Sequence, residues 1–233
     1  MDATTRPVED TSRLEGFSDA IFGFAATLLV VSLEVPKDFA SLTSSLRGFV
    51  AFGLSFAVLV GIWTVHRGFF KRYKVADFTI VALNTALLFV VLFYVYPLKF
   101  IARSFVARFF GAQYAGDMAP ITLSDLRQMF AIYGGGWAAV FVFVALMYHH
   151  VWRKRAALQL DADEAQHAID YFGHYLVFSL VGGISALLSL SNVGVAFGVP
   201  GFAYGLMSPA LMFYWRWRGK RKTSAVIVAE AAD

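Results

Sequence analysis

The sequence predicts an all-α integral membrane protein of six transmembrane helices with both termini cytoplasmic, and three observations carry that expectation. Hydrophobic residues make up 58% of the 233 and charged residues only 15%, against roughly 25% charged in a soluble domain. Six mostly apolar stretches of about 20 residues, the length that crosses a bilayer core, follow one another along the chain. Lysine and arginine fall unevenly on the two sets of connections, the asymmetry that orients membrane proteins.

The stretches run over about 13–33, 46–66, 78–98, 128–151, 171–190 and 195–215, as one domain. The side holding the termini takes 14 of the 20 basic residues, among them Arg67, Lys71, Arg72, Lys74, Arg153, Lys154, Arg155 and the run 216–222. The other side takes only Lys37, Arg47, Lys99, Arg103, Arg108 and Arg127. The termini are therefore expected in the cytoplasm. The net charge of +4 serves topology on this reading, and no nucleic-acid partner is expected. Cysteine is absent, which excludes disulfides and thiolate metal sites. Asp2, Glu9 and Asp10 stand where a signal peptide carries basic residues, so no cleavable leader is expected.

The first stretch contains an ionisable group that a membrane helix tolerates only with a partner or a purpose. Asp19 lies about two turns inside it, and a carboxylate in hydrocarbon costs on the order of 2.5–3.5 kcal/mol on the lenient insertion scale. At about 100° per residue, Phe17, Ile21, Phe24, Leu28 and Val31 share one face, flanked by Thr27 and Ser32. Asp19, Gly23, Ala26 and Val30 share the opposite face, whose small residues suit close helix packing. The carboxylate is thus expected inside protein. Its candidate partners are Arg13, Ser18, Trp63, His66, Thr79, Asn84 and Thr85. A network of Asp19, Ser18, Trp63, His66 and Asn84 would satisfy it, at a depth common to three helices. A buried histidine in such a network is ordinarily structural; a pH-sensing role for His66 is the alternative.

The other elements carry weaker signals. The long connection 99–127 interleaves Phe100, Phe105, Phe109 and Phe110 with Arg103 and Arg108. That fits either a segment lying on the membrane or an outward continuation of the third helix. Gly134 to Gly136 and Gly182-Gly183 allow close packing, and Gly198, Pro200, Gly201 and Gly205 suggest bending in the last two spans. Adjacent His149 and His150 point about 100° apart and cannot chelate as an i, i+4 pair does, so interfacial anchoring is expected. Asp161, Asp163, Glu164 and His167 read as a solvated helix face without the glycine turn of a calcium loop. Neither a metal site nor a cofactor is expected.

Arg13, Phe17, Ser18 and Asp19 form the pattern Arg-x-x-x-Phe-Ser-Asp, and with it the chain resembles the transmembrane protein 175 family, potassium-permeable channels of lysosomes and bacterial membranes. The run Ala25 to Leu29, the exit Leu33-Glu34-Val35-Pro36, the pair Trp63 and His66, Asn84 and Pro97 extend the resemblance. It implies a homotetramer in the bacterial plasma membrane, conducting potassium along an axis lined by the first helices. The carboxylate motif, with Arg13, Phe17, Ser18, Asp19, Trp63, His66 and Asn84, would be a structural hydrogen-bond centre behind them. Phe24, Leu28 and Val31 would form a hydrophobic gate, with Thr27 at its edge offering a hydroxyl. Phe24 stands where family members commonly carry Ile or Leu, and its ring is bulkier. The carbonyl filter sequence Thr-Val-Gly-Tyr-Gly of other potassium channels is absent.

Three other classes compare less well. An enzyme would need a nucleophile elbow or a His-x-x-x-His spacing, and neither is present. A secondary transporter would carry inverted repeats, and none is recognisable. Proton conduction stays open because Asp19 and His66 titrate.

Overall fold

The computed structural model describes residues 6–31, 37–111 and 121–230. They form six long helices: α1 (Arg6–Val31), α2 (Phe39–Tyr73), α3 (Phe78–Phe110), α4 (Leu123–Arg153), α5 (Ala162–Leu190) and α7 (Met207–Glu230). A single-turn helix, α6 (Val199–Phe202), lies between two 3-10 turns, Val195–Phe197 and Ala203–Leu206. No strand occurs among the described residues. Among the described residues, four segments are long and apolar enough to cross a membrane: Gly48–Tyr73, Phe78–Phe110, Leu123–Arg153 and Ala162–Leu190. In α1 the residues Asp10, Arg13, Glu15 and Asp19 crowd the first half, so its apolar run begins only at Ala20.

Side-chain caps start three of the helices. Asp77, extended at φ −72° and ψ 167°, accepts from the backbone N–H of Ile80 and opens α3. Thr122 with Asp125, and Asp161 with Glu164, form reciprocal capping boxes that open α4 and α5. These caps revise two expectations. The fourth helix begins at Leu123 rather than near 128, and Asp161 and Glu164 are a helix start rather than merely a solvated face. Of the two readings of 99–127, the helical continuation holds as far as Phe110. Pro97 sits inside α3, and the Tyr133 hydroxyl donates to its carbonyl.

The tightest crossing is between α4 and α5. A Cβ added to Gly134 would lie 2.5 Å from the carbonyl oxygen of Gly182, and one added to Gly182 would lie 2.8 Å from that of Gly134. The two backbones therefore touch, as small residues permit in membrane helices. The main core lies between α2, α3, α4 and α5 around Phe69, Phe70, Leu87, Val91, Val140 and Met147.

The stretch 195–215, expected as one span, is not a continuous helix. Gly194 (φ 63°) and Gly198 (φ 73°) adopt the left-handed conformation that favours glycine, and Pro200 starts the short α6 without an N–H to donate. Only from Met207 does a long helix run on, tied to α5 through Asp170. That buried carboxylate receives Gln166 Nε2 at 3.0 Å and the Arg218 guanidinium, and its backbone carbonyl receives the Tyr214 hydroxyl at 2.7 Å.

Candidate functional site

The first helix owes its orientation to polar side chains. Ser18 Oγ donates to the Leu14 carbonyl at 2.8 Å and accepts from Asn84 Nδ2 at 2.9 Å. Asn84 Oδ1 lies 2.7 Å from His66 Nε2. Because the amide oxygen only accepts, the imidazole carries its proton on Nε2. The chain of donors thus runs from α2 through α3 into α1 in a single direction. All three side chains are buried, at 0% for Ser18 and Asn84 and 2% for His66. Left unpaired, such groups would each cost about 1–3 kcal/mol, so the network specifies how the three helices meet.

With Ser18 inward, the same helical row carries Phe22, Ala25 and Leu29 into the core. The opposite face lies open: Phe17 and Phe24 are each 58% exposed, and Ala20, Gly23, Thr27 and Val30 are exposed with them. This turns the helix by about a quarter of a revolution from the sequence reading. Thr27 lies at the centre of the open face rather than at its edge, while Leu28 is half-buried against the core. Gly23, expected to receive a neighbouring helix, has no atom within 4 Å of an added Cβ. The side chain of Val31 and all of residues 32–36, including Ser32 and the Leu33 to Pro36 exit, lie outside the described residues.

Asp19 is also corrected. It is exposed in the single chain rather than buried among small residues, because the inward row is occupied by Ser18 and Phe22. Its partner is the expected Trp63, whose Nε1 donates to Oδ1 at 2.7 Å. Arg13 is exposed and forms no ion pair with Asp19. The Arg67 guanidinium lies over the Trp63 ring at 5.4 Å. Trp63, His66, Asn84 and Ser18 therefore meet as anticipated, with Asp19 on the rim of the cluster. Thr79 and Thr85 are exposed on α3 and take no part in these bonds; Thr85 Oγ1 donates to the Val81 carbonyl at 2.8 Å.

Two further polar groups escaped the sequence reading. Lys99, counted there as a loop residue, is buried on α3, and its Nζ lies 3.4 Å from the Leu29 carbonyl near the end of α1. A cation there complements the negative end of the helix dipole. The apolar periodicity continuing past Pro97 was the signal for it. Asp77 joins the helix-capping role to two side-chain partners, His150 Nε2 at 2.7 Å and Lys154 Nζ at 2.8 Å. Burial opposes its charge, but the donors from His150, Lys154 and Ile80 overcome that and hold the carboxyl well below the usual carboxylate range. His150 is thus half of a pair across helices, while His149 packs on the rings of Phe172 and Trp152. Among the described residues, no cluster of side chains suits a metal ion.

Comparison with known proteins identifies this arrangement. The family model for the endosomal/lysosomal potassium channel TMEM175 matches residues 13–94, the segment that holds the network. A protein of Marivirga tractuosa named a potassium channel is 32% identical over 219 residues, spanning 90% of this chain and 88% of its own. A potassium channel of Chamaesiphon minutus is 29% identical over 206 residues, spanning 81% of this chain and 90% of its own. Among solved structures, a variant of the potassium channel MtTMEM175 bound to a nanobody fusion superposes with a TM-score of 0.79 at 31% identity, over 89% of this chain and 93% of that one. A homologue, from Chamaesiphon minutus, of the lysosomal potassium-selective channel TMEM175 gives a TM-score of 0.50 at 26% identity over 85% and 98% of the two chains. By these similarities of sequence and fold, the chain belongs to the TMEM175 family, whose members are ion channels and not enzymes.

Proposed function

We propose that four copies of this chain surround an axis lined by α1 and form a potassium-permeable channel in a bacterial plasma membrane. In this reading α1 and the broken segment ending in α7 complete six spans, with both termini cytoplasmic. The observation that carries it is the open face of α1, which its own chain leaves uncovered while three buried polar side chains hold the helix from behind. The relatives named as potassium channels support the choice of ion.

Phe24 and Val31, with Leu28 beside them, form the apolar constriction, which excludes ions by shedding water when narrow. Thr27 lies between these levels and donates its hydroxyl proton to the Phe24 carbonyl at 2.7 Å. Its oxygen therefore keeps only acceptor character toward the axis, so a ring of four would favour a cation over an anion. Flux measurements in liposomes test the reading. Phe24→Ala increases resting potassium leak, and Thr27→Val lowers the preference for potassium over sodium. Wild-type currents from both variants would remove α1 from the conduction path.

A further inference from the structure

Behind the Trp63–Asp19 contact, between the first turns of α1 and the last turns of α2, lies a cavity of about 370 Å³. Its walls carry opposite charge. Glu15 and Asp19 of α1 line one side, and Arg67, Lys71 and Lys74 line the other. None of these acids forms an ion pair with any of these bases among the described residues. Asp19 has one oxygen on the Trp63 indole, and Arg67 lies over that ring, which leaves Glu15, Lys71 and Lys74 as the charges held apart across the space. Opposite charges separated by a cavity, instead of collapsed onto each other, suit a ligand that carries both signs.

We propose that this cavity binds the phosphoethanolamine head group of a membrane phospholipid. Lys71 and Lys74 take the phosphate, and Glu15, backed by Asp19, takes the primary ammonium. Depth supports a lipid source. The apolar segment Gly48–Tyr73 supplies Arg67 and Lys71 from its last turns, and Lys74 follows it directly, which would place the cavity at the level of lipid head groups. Its volume lies within the range of small-ligand pockets, about 300–1,000 Å³. The primary ammonium donates hydrogen bonds to carboxylates, which a choline group cannot do, and a glycerol head group has no cation at all. The site would therefore select among lipids sharing the same phosphate. It touches the Asp19–Trp63 contact, so an occupied site would brace the first half of α1 against α2. It stands on its own geometry, whether or not α1 lines a pore.

The test is a binding titration of the purified full-length channel in detergent, read by native mass spectrometry. The probes are short-chain phosphatidylethanolamine, phosphatidylcholine and phosphatidylglycerol, with soluble phosphoethanolamine as a separate arm. The wild type is expected to prefer phosphatidylethanolamine about tenfold over both other lipids, the scale of one charge-assisted hydrogen bond. Glu15→Gln is expected to abolish that preference while leaving phosphatidylglycerol binding unchanged. Lys71→Gln, which retains Glu15, is expected to weaken all three lipids. Equal affinity for the three lipids, tighter binding of phosphatidylglycerol, or an unchanged preference in Glu15→Gln would each overturn the assignment. Soluble phosphoethanolamine binding as tightly as the lipid would overturn the lipid source. A structure of the assembled channel with a neighbouring subunit's side chains filling the cavity would overturn the site itself. Because binding rather than current is read, failure here leaves the channel reading untouched.

Discussion

Trp63 Nε1 donates to Asp19 Oδ1 at 2.7 Å, linking the second half of α2 to the carboxylate of α1. The bond sits one helical turn from the buried His66–Asn84 pair, so the rim and the interior of the cluster hold the same two helices. Trp63→Phe keeps most of the ring and removes the donor. A hydrogen bond to a charged group contributes about 1.5–3 kcal/mol, and the exposure of Asp19 reduces that toward 1 kcal/mol. Thermal unfolding in detergent should show this loss, and Asp19→Asn combined with Trp63→Phe should cost less than the sum of the two single changes.

Asn84 should be less tolerant. Asn84→Leu leaves the His66 Nε2–H without its acceptor and Ser18 Oγ without its donor, both fully inside protein. With about 1–3 kcal/mol for each of the two groups, the expected loss is on the order of 2–6 kcal/mol. Asn84→Asp, which keeps an acceptor for His66, should recover part of it. Size-exclusion profiles and melting curves of the two variants provide the comparison.

The α4–α5 crossing predicts a purely steric effect. Gly134→Ala places a methyl group 2.5 Å from the Gly182 carbonyl oxygen, so the helices must separate. Overpacking of this kind costs about 1–3 kcal/mol or more. Gly135→Ala, one residue away, meets nothing within 4 Å and should be stabilising by up to about 1 kcal/mol through helix propensity alone. Melting temperatures of the two variants therefore separate packing from helix propensity.

Asp77 gives a pH dependence with a definite sign. Its carboxyl is held below its unfolded value, about 3.9, so its contribution is complete above that pH and is lost as pH falls through the lower, folded value. Asp77→Asn should be less stable than the wild type at neutral pH. The difference should hold steady down to about pH 5 and shrink below pH 4, in melting curves recorded across that range.

The sequence was legible wherever a local rule decided the outcome. Apolar run length located the central helices, and the depth of Trp63, His66 and Asn84 relative to Ser18 was enough to bring them together. The facing of α1 was not legible, because periodicity and the small residues beside Asp19 point one way while the two hydrogen bonds of Ser18 turn the helix another. A buried hydroxyl with two partners fixes a helix more firmly than a large side chain that finds lipid or protein equally acceptable. The starts of α4 and α5 were readable from Thr122 with Asp125 and Asp161 with Glu164, a signal passed over in favour of hydropathy. The break at Gly194 to Pro200 was half-visible as glycine and proline, but apolar content alone suggested an unbroken span. The pairing of Asp170 with Arg218 joins residues far apart in the chain, and no local pattern announces it.

The directional bonds from His66 through Asn84 to Ser18 have a mechanical consequence. Advancing α1 by a single residue about its axis would swing Ser18 through about 100° and strand the Asn84 amide and His66 imidazole at once. Turning like a screw is therefore the stiffest motion open to that helix, whereas leaning together with α2 and α3 leaves every one of these bonds intact. In the proposed tetramer, any widening of the bore would load the seams between such three-helix wedges.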